Sequence, residues 1–123
     1  MADKTDLPGE QQSLTLQQAL DLAVQHHNAG DLSGAENIYQ QILQADPDHP
    51  VALHLLGVIA HQGGDNEKAA DLINKSLTLK PDYAEAYNNL SIVLIEVARF
   101  KEAVSSCEKA LSLEPNFAEA HNH

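Results

Sequence analysis

The stretch GDNEKAADLINKSLTLKP, residues 64–81, decides the fold. Gly64 can adopt the positive φ that ends one helix, and the carboxylate of Asp65 can cap the next. Apolar residues then recur with the spacing of one helical face. Pro81 blocks continuation of that helix and presets the following turn. The stretch therefore predicts a turn, one amphipathic helix and a second turn.

The features of this stretch recur every 34 residues. Prolines stand at positions 47, 81 and 115. Further positions repeat at the same interval, namely Ala35, Ala69 and Ala103; Leu22, Leu56 and Leu90; and Leu43, Leu77 and Leu111. Gly30 and Gly64 also agree, whereas Ala98 is the third member of that set. Several independent positions at one fixed interval indicate a repeat protein in which each repeat is one structural unit.

Each unit carries two amphipathic segments, so we predict an all-α protein: an α-α superhelix of three helical hairpins plus the start of a fourth. The predicted helices are about 15–29, 33–45, 50–62, 66–79, 84–97 and 100–113, with a seventh from near Phe117. The repeats are about 16–49, 50–83 and 84–117, and a truncated fourth begins at 118. Residues 1–13 are mostly polar and are predicted to form a disordered or frayed tail. Small residues at the Ala35, Ala69 and Ala103 positions would let the two helices of each hairpin cross closely.

This pattern resembles the tetratricopeptide repeat family over roughly residues 15–117. The features that carry the resemblance are the Leu56-Gly57 pair, Tyr87 with Leu90, the glycine turns and the alanine and proline sets. The resemblance implies that the first helix of each hairpin lines a concave groove and that the second forms the convex back. The predicted partner-binding residues on this groove are Leu20, Val24, His27, His54, Val58, His61, Asn88, Asn89, Ile92 and Ile95.

The resemblance also bears on what such a groove would bind. Relatives that grip the carboxyl terminus of chaperones use a clamp of basic residues and Asn, and that clamp is absent here. Leu20, Val24, Leu55 and Glu85 occupy the corresponding places, and only Asn89 is polar and neutral. Tandem Asn88 and Asn89 look like the repeat region of the O-linked N-acetylglucosamine transferase family, where Asn side chains anchor polypeptide. The alternative is that both are ordinary polar residues of a helix surface.

Charge narrows the possible partners. The formal net charge is −11, and no Lys or Arg stands between Lys4 and Lys68. Nucleic-acid binding is disfavoured, because phosphate backbones attract clustered basic residues. A basic peptide is electrostatically permitted. No apolar run is long enough for a membrane span, and we see no signal peptide, so we expect no membrane partner and a cytoplasmic location.

No catalytic set, cofactor motif or metal site is predicted. His54 and His61 lie two helical turns apart, about 10 Å along the axis, and cannot share one ion without help. Cys107 is predicted to face the core. We therefore expect a non-enzymatic scaffold that binds a peptide or helix in a concave, non-basic groove. Alternatively, the chain is the N-terminal recognition arm of a larger enzyme, such as a glycosyltransferase of the type just named. Self-association is a third expectation, through an uncapped C-terminal end that includes Ala103, Ala110 and Leu111.

Overall fold

A computed structural model describes residues 15–114 of the 123-residue chain. Within this part the chain forms six α-helices and no strand. They are α1 (Leu16–Asn28), α2 (Leu32–Ala45), α3 (Pro50–Gln62), α4 (Asn66–Leu79), α5 (Ala84–Glu96) and α6 (Phe100–Leu113). These bounds lie within one residue of the predicted ones. The predicted tail, 1–13, and the predicted seventh helix near Phe117 lie outside the described residues.

The helices pair as three successive hairpins, and the predicted all-α repeat solenoid is confirmed. Each helix packs against the next along the chain, and α3 also contacts α5. The first helices of neighbouring hairpins therefore lie side by side. We call the surface formed by α1, α3 and α5 the inner face. We call α2, α4 and α6 the outer helices.

Glycine forms the turn inside each of the first two hairpins. Gly30 and Gly64 have φ values of 87° and 88°, in the left-handed region that favours glycine. Asp31 then caps α2, because its Oδ1 accepts a hydrogen bond of 3.0 Å from the backbone N–H of Gly34. Asp65 caps α4 in the same way. The predicted turn and cap signals are confirmed.

Ala98 adopts the same turn without being a glycine. Its φ is 63°, and the backbone N–H of Arg99 donates to the carbonyl of Leu94, as Asp65 does to Ala60 in the preceding hairpin. An L-residue in this region costs about 1–2 kcal/mol through its Cβ. We expect Ala98→Gly to raise the free energy of unfolding by about 1 kcal/mol, measured by urea denaturation. Ala98→Ser keeps the Cβ and is the control. A loss of stability in the glycine variant would contradict this account.

Small residues occupy the helix crossings, as the repeat predicted. Ala35, Ala69 and Ala103 are buried, each in the core of its own hairpin. Gly57 faces the same kind of contact from α3. A Cβ built at Gly57 would lie 2.8 Å from Cγ1 of Ile73, which is closer than carbon atoms pack.

Cys107 does not lie in the core, and that prediction is wrong. Its side chain is exposed on α6, although the equivalent residues one and two repeats earlier, Ile73 and Tyr39, are completely buried. Those two positions are covered where the following hairpin packs. No helix follows α6 in the part of the chain that the structure describes, so the same position stays open.

The exposed apolar surface of the last described hairpin differs from the predicted one. Ala103 and Ala110 are buried inside the third hairpin, and of the predicted residues only Leu111 is substantially exposed. The exposed apolar surface is formed instead by side chains around a hollow of about 350 Å³, lined by Ser91, Ile95, Phe100, Ala103, Val104 and Cys107. Self-association through this end stays a prediction.

Candidate functional site

Three pairs of side chains bridge neighbouring first helices on the inner face. In each pair a histidine contacts a residue 35 positions later. The pairs are His27 Nε2 with Gln62 Oε1 at 2.7 Å, His54 Nε2 with Asn89 Nδ2 at 2.8 Å, and His61 Nε2 with Glu96 Oε1 at 3.1 Å. The histidines that sequence reasoning assigned to a partner therefore also join one hairpin to the next.

His54 is the most deeply placed of these histidines, with no exposed surface. The Asn89 amide donates to Nε2, so the proton of the neutral ring belongs on Nδ1. Nδ1 in turn donates to the hydroxyl oxygen of Tyr83 at 2.9 Å. Both ring nitrogens of His54 are thus satisfied in the neutral form, as a buried imidazole requires.

The surroundings of His54 disfavour its charged form. Burial lowers the pKa of His54 from 6.5 to about 4. Burial likewise raises the pKa of Tyr83 above its ordinary value, and the nearby Glu85 carboxylate acts in the same direction. The pair is therefore neutral near pH 7. A protonated Nε2 would face the Asn89 amide hydrogens and lose that bond.

Next to this network the inner face holds a cleft of about 240 Å³ between α3 and α5. Its lining residues are Val58, His61, Gln62, Ile73, Asn89, Ile92 and Val93. Ile73 and Val93 are buried and form its floor, whereas Ile92 is 41% exposed at its edge. We call this feature the cleft. Its apolar lining and few polar groups are typical of a binding site on a protein surface.

The structure brings four of the ten predicted binding residues together in the cleft: Val58, His61, Asn89 and Ile92. Val24 and Asn88 are half-buried outside the cleft, and His27 is held by Gln62.

Three predicted positions require correction. Leu20 is only 8% exposed and belongs to the core of the first hairpins, where it is clustered with Ala23 and Tyr39. His54 is buried, so a bound partner would not contact it directly and could act on it only through its hydrogen-bond partner Asn89. Ile95 is exposed but lines the hollow between α5 and the first half of α6, not the cleft.

Sequence reasoning missed Ile73 and Val93 as cleft residues. Ile73 belongs to an outer helix, which the resemblance assigned to the convex back, but it lines the cleft together with residues of α3 and α5. The sequence contained a signal for this role of Ile73, because the equivalent residue in the first repeat is the much larger Tyr39. A smaller residue at a buried position leaves space for something else.

The inner face has acids and no strong bases. All six described Lys and Arg residues lie outside α1, α3 and α5. The acids on these helices are Asp21, Glu85 and Glu96. Among residues 15–114, none of the three forms an ion pair with Lys or Arg. Glu96 lies closest to the cleft, because it contacts the cleft residue His61.

Between positions 15 and 114 no three His, Cys, Asp or Glu side chains are grouped as metal ligands. No helix in that range is long and apolar enough to cross a bilayer.

Stacked helical hairpins with a cleft between first helices define a helical-repeat protein. The family model described as "Tetratricopeptide repeat" matches residues 27–91, and a second model of the same description matches 84–117. The chain belongs to the tetratricopeptide repeat family, as the resemblance indicated. A search of curated proteins gave no match.

Solved structures show the same fold. MamA is 22% identical with a TM-score of 0.79, over 90% of this chain and 65% of that one. An O-GlcNAc transferase mutant from Thermobaculum terrenum is 31% identical with a TM-score of 0.82, over 86% of this chain and 20% of that one. The first TPR of Spaghetti (RPAP3), bound to the HSP90 peptide SRMEEVD, is 23% identical with a TM-score of 0.80, over 87% and 85%. This chain thus spans about two thirds of MamA and one fifth of the transferase.

Proposed function

We propose that this protein is a non-catalytic scaffold that binds a polypeptide segment on its inner face, with the cleft as the centre of the contact. The observation that carries the proposal is the cleft itself, where apolar side chains from α3, α4 and α5 surround an open space beside the oriented amide of Asn89. Exposed apolar surface in a concavity is a common mark of a protein-binding site.

Asn89 is suited to hold the main chain of a bound segment. Because its Nδ2 donates to His54, its Oδ1 is the atom left to accept a hydrogen bond from a peptide N–H. A contact to the main chain is independent of the bound sequence. This arrangement supports a partner that binds in an extended form.

The same face argues against an acidic ligand. The Spaghetti TPR structures contain the HSP90 peptide SRMEEVD, which has two glutamates and one aspartate. On this chain α1, α3 and α5 provide no Lys or Arg to pair with such groups. We therefore do not carry that ligand over, and a cytoplasmic protein or peptide of another charge is the proposed partner.

Two matched serine variants test the proposed site. Ile92 on α5 and Leu79 on α4 are 41% and 39% exposed, but only Ile92 borders the cleft. We expect Ile92→Ser to weaken binding of peptides selected from a random displayed library by about tenfold, the loss of one well-packed contact. Leu79→Ser should bind as the wild type does. The affinities are measured by fluorescence anisotropy after circular dichroism has verified folding.

The comparison of the two variants decides the outcome. Equal binding by Ile92→Ser and the wild type would mean that the cleft is not the site. Failure of the library to yield any binder would count against the function itself.

A second candidate is that the stack is the recognition arm of a larger enzyme. The 31% identity to the repeat-bearing transferase from Thermobaculum terrenum favours it. Sequencing the complete transcript discriminates the two: a glycosyltransferase domain in the same reading frame would support this candidate, and its absence would reject it.

A further inference from the structure

The cleft lies where the second hairpin has a smaller buried residue than the first hairpin has at the equivalent position. Tyr39 and Ile73 occupy the same position of successive repeats, and both are completely buried. The Tyr39 ring fills its own hairpin, and it lies edge-on to His27 with ring centroids 6.4 Å apart. Ile73 is shorter, and the cleft opens above it between Val58 and Ile92. The space thus lies at the junction of the second and third hairpins, next to the smaller residue.

The floor and walls of the cleft are aliphatic. Val58, Ile73, Ile92 and Val93 supply them, and the polar lining residues are His61 and Gln62 on α3 and Asn89 on α5. An aliphatic side chain placed there would bury apolar surface against four branched residues. A charged or strongly polar side chain would lose its hydration without a buried partner.

A negative charge stands beside this apolar space. Glu96 Oε1 lies 3.1 Å from His61 Nε2 and 3.4 Å from Asn66 Nδ2, which hold the carboxylate next to the cleft. Its side chain is 49% exposed, so a second partner can reach it. Lys and Arg are absent from α1, α3 and α5, so a bound base would meet no like charge on these helices.

We propose that the cleft binds an aliphatic side chain of an extended partner segment, and that Glu96 pairs with a Lys or Arg one or two residues away from it. This inference rests on the proposed function, because it specifies the partner for the same surface. An extended chain advances about 3.3 Å per residue, so a long basic side chain at that distance can reach Glu96.

The test uses the full 123-residue chain and four pools of labelled nonapeptides. The first pool has Ile at the centre, Lys or Arg two residues to either side, and uncharged residues elsewhere. In the other pools the bases are replaced by Gln, the bases are replaced by Glu, or the central Ile is replaced by Ser. Affinities come from anisotropy, and ¹H–¹⁵N spectra locate the contact.

We expect the basic pool to bind about two- to fivefold more tightly than the Gln pool, the range of a single exposed ion pair. The Glu pool and the Ser pool should be weaker than the Gln pool. Glu96→Gln should remove the advantage of the basic pool over the Gln pool. Glu108→Gln removes the same charge from exposed α6 and should preserve the advantage. Ile73→Tyr, which copies the first repeat, should weaken every pool that has the central Ile.

Each alternative outcome is distinct. If the basic advantage survives Glu96→Gln, or is lost equally in Glu108→Gln, the pairing with Glu96 is wrong and the attraction is only that of the net charge. If the Gln or Glu pool binds the cleft at least as well as the basic pool, the partner chemistry is wrong, while the proposed function stands. If no pool perturbs the inner face, both are wrong. Should Ile73→Tyr fail to fold, Ile92→Ser serves as the cleft variant.

Discussion

Gly57→Leu is expected to lower the free energy of unfolding by about 3 kcal/mol, at the upper end of the usual cost of overpacking a core. The reason is a close approach of α3 to α4. A Cβ at this position already meets Cγ1 of Ile73 at 2.8 Å and the backbone carbonyl oxygen of Ala69 at 3.2 Å. The Ile73 side chain could shift to another rotamer, whereas the carbonyl oxygen of Ala69 is part of the α4 backbone and moves only with the helix. Chemical denaturation followed by circular dichroism measures the change.

Gly63 provides the control for this prediction. A Cβ there would lie 3.6 Å from its nearest neighbours, which is ordinary contact, so Gly63→Ala should keep nearly wild-type stability. A second check is coupling, because Ile73→Ala removes the clashing carbon and should recover part of the loss when combined with Gly57→Leu. Equal loss with and without Ile73→Ala would show that the contact with Ile73 does not cause the destabilisation.

Acid should destabilise the protein through His54 by about 3 kcal/mol between pH 6.5 and 4. The folded state holds the pKa of His54 at about 4, whereas the ordinary value is 6.5. Between these two values the unfolded chain takes up a proton that the folded chain does not. Stability attributable to this residue is therefore complete above pH 6.5 and falls as the pH drops toward 4. Urea denaturation at a series of pH values gives the slope.

His54→Gln separates this residue from the other acid-sensitive groups. Glutamine cannot titrate but can still bond to Asn89 and Tyr83, so the variant should lose about 3 kcal/mol less than the wild type over the same pH range. His26→Gln makes the same change at a partly exposed histidine and should keep most of the wild-type slope. An unchanged slope in His54→Gln would contradict the assignment.

The fold was predictable because its signals are local and repeated. A glycine that can take positive φ, an aspartate that caps and a proline that stops a helix act within a few residues of themselves. Their recurrence at one interval fixed the number of hairpins and the helix bounds. Even the exception was informative, since Ala98 keeps the left-handed turn that its two glycine equivalents adopt.

The site was only partly predictable. A repeat pattern predicts that residues at equivalent positions have the same surroundings, whereas in the structure their surroundings differ. Placing the first helices on one face predicted that Val58, His61, Asn89 and Ile92 share a surface, and they line one cleft; their role in binding stays a prediction. Leu20 and His54 were misplaced, since the helical period cannot tell a residue that faces a groove from one that turns under its neighbour. Ile73 was missed because what matters is its size: it is smaller than Tyr39, its equivalent in the first repeat.

The sequence alone determined the all-α repeat architecture, the helix bounds, the turns and the absence of basic residues from the first helices. The tertiary structure decided which equivalent residues are buried. Leu22, Leu56 and Leu90 are the same residue at the same repeat position, yet they are 42%, 6% and 4% exposed. The structure also paired each inner-face histidine with its partner 35 residues on and opened one cleft between α3 and α5. The physical reason is that burial and pairing depend on what the neighbouring hairpins, preceding and following, place against a side chain, which no local pattern contains.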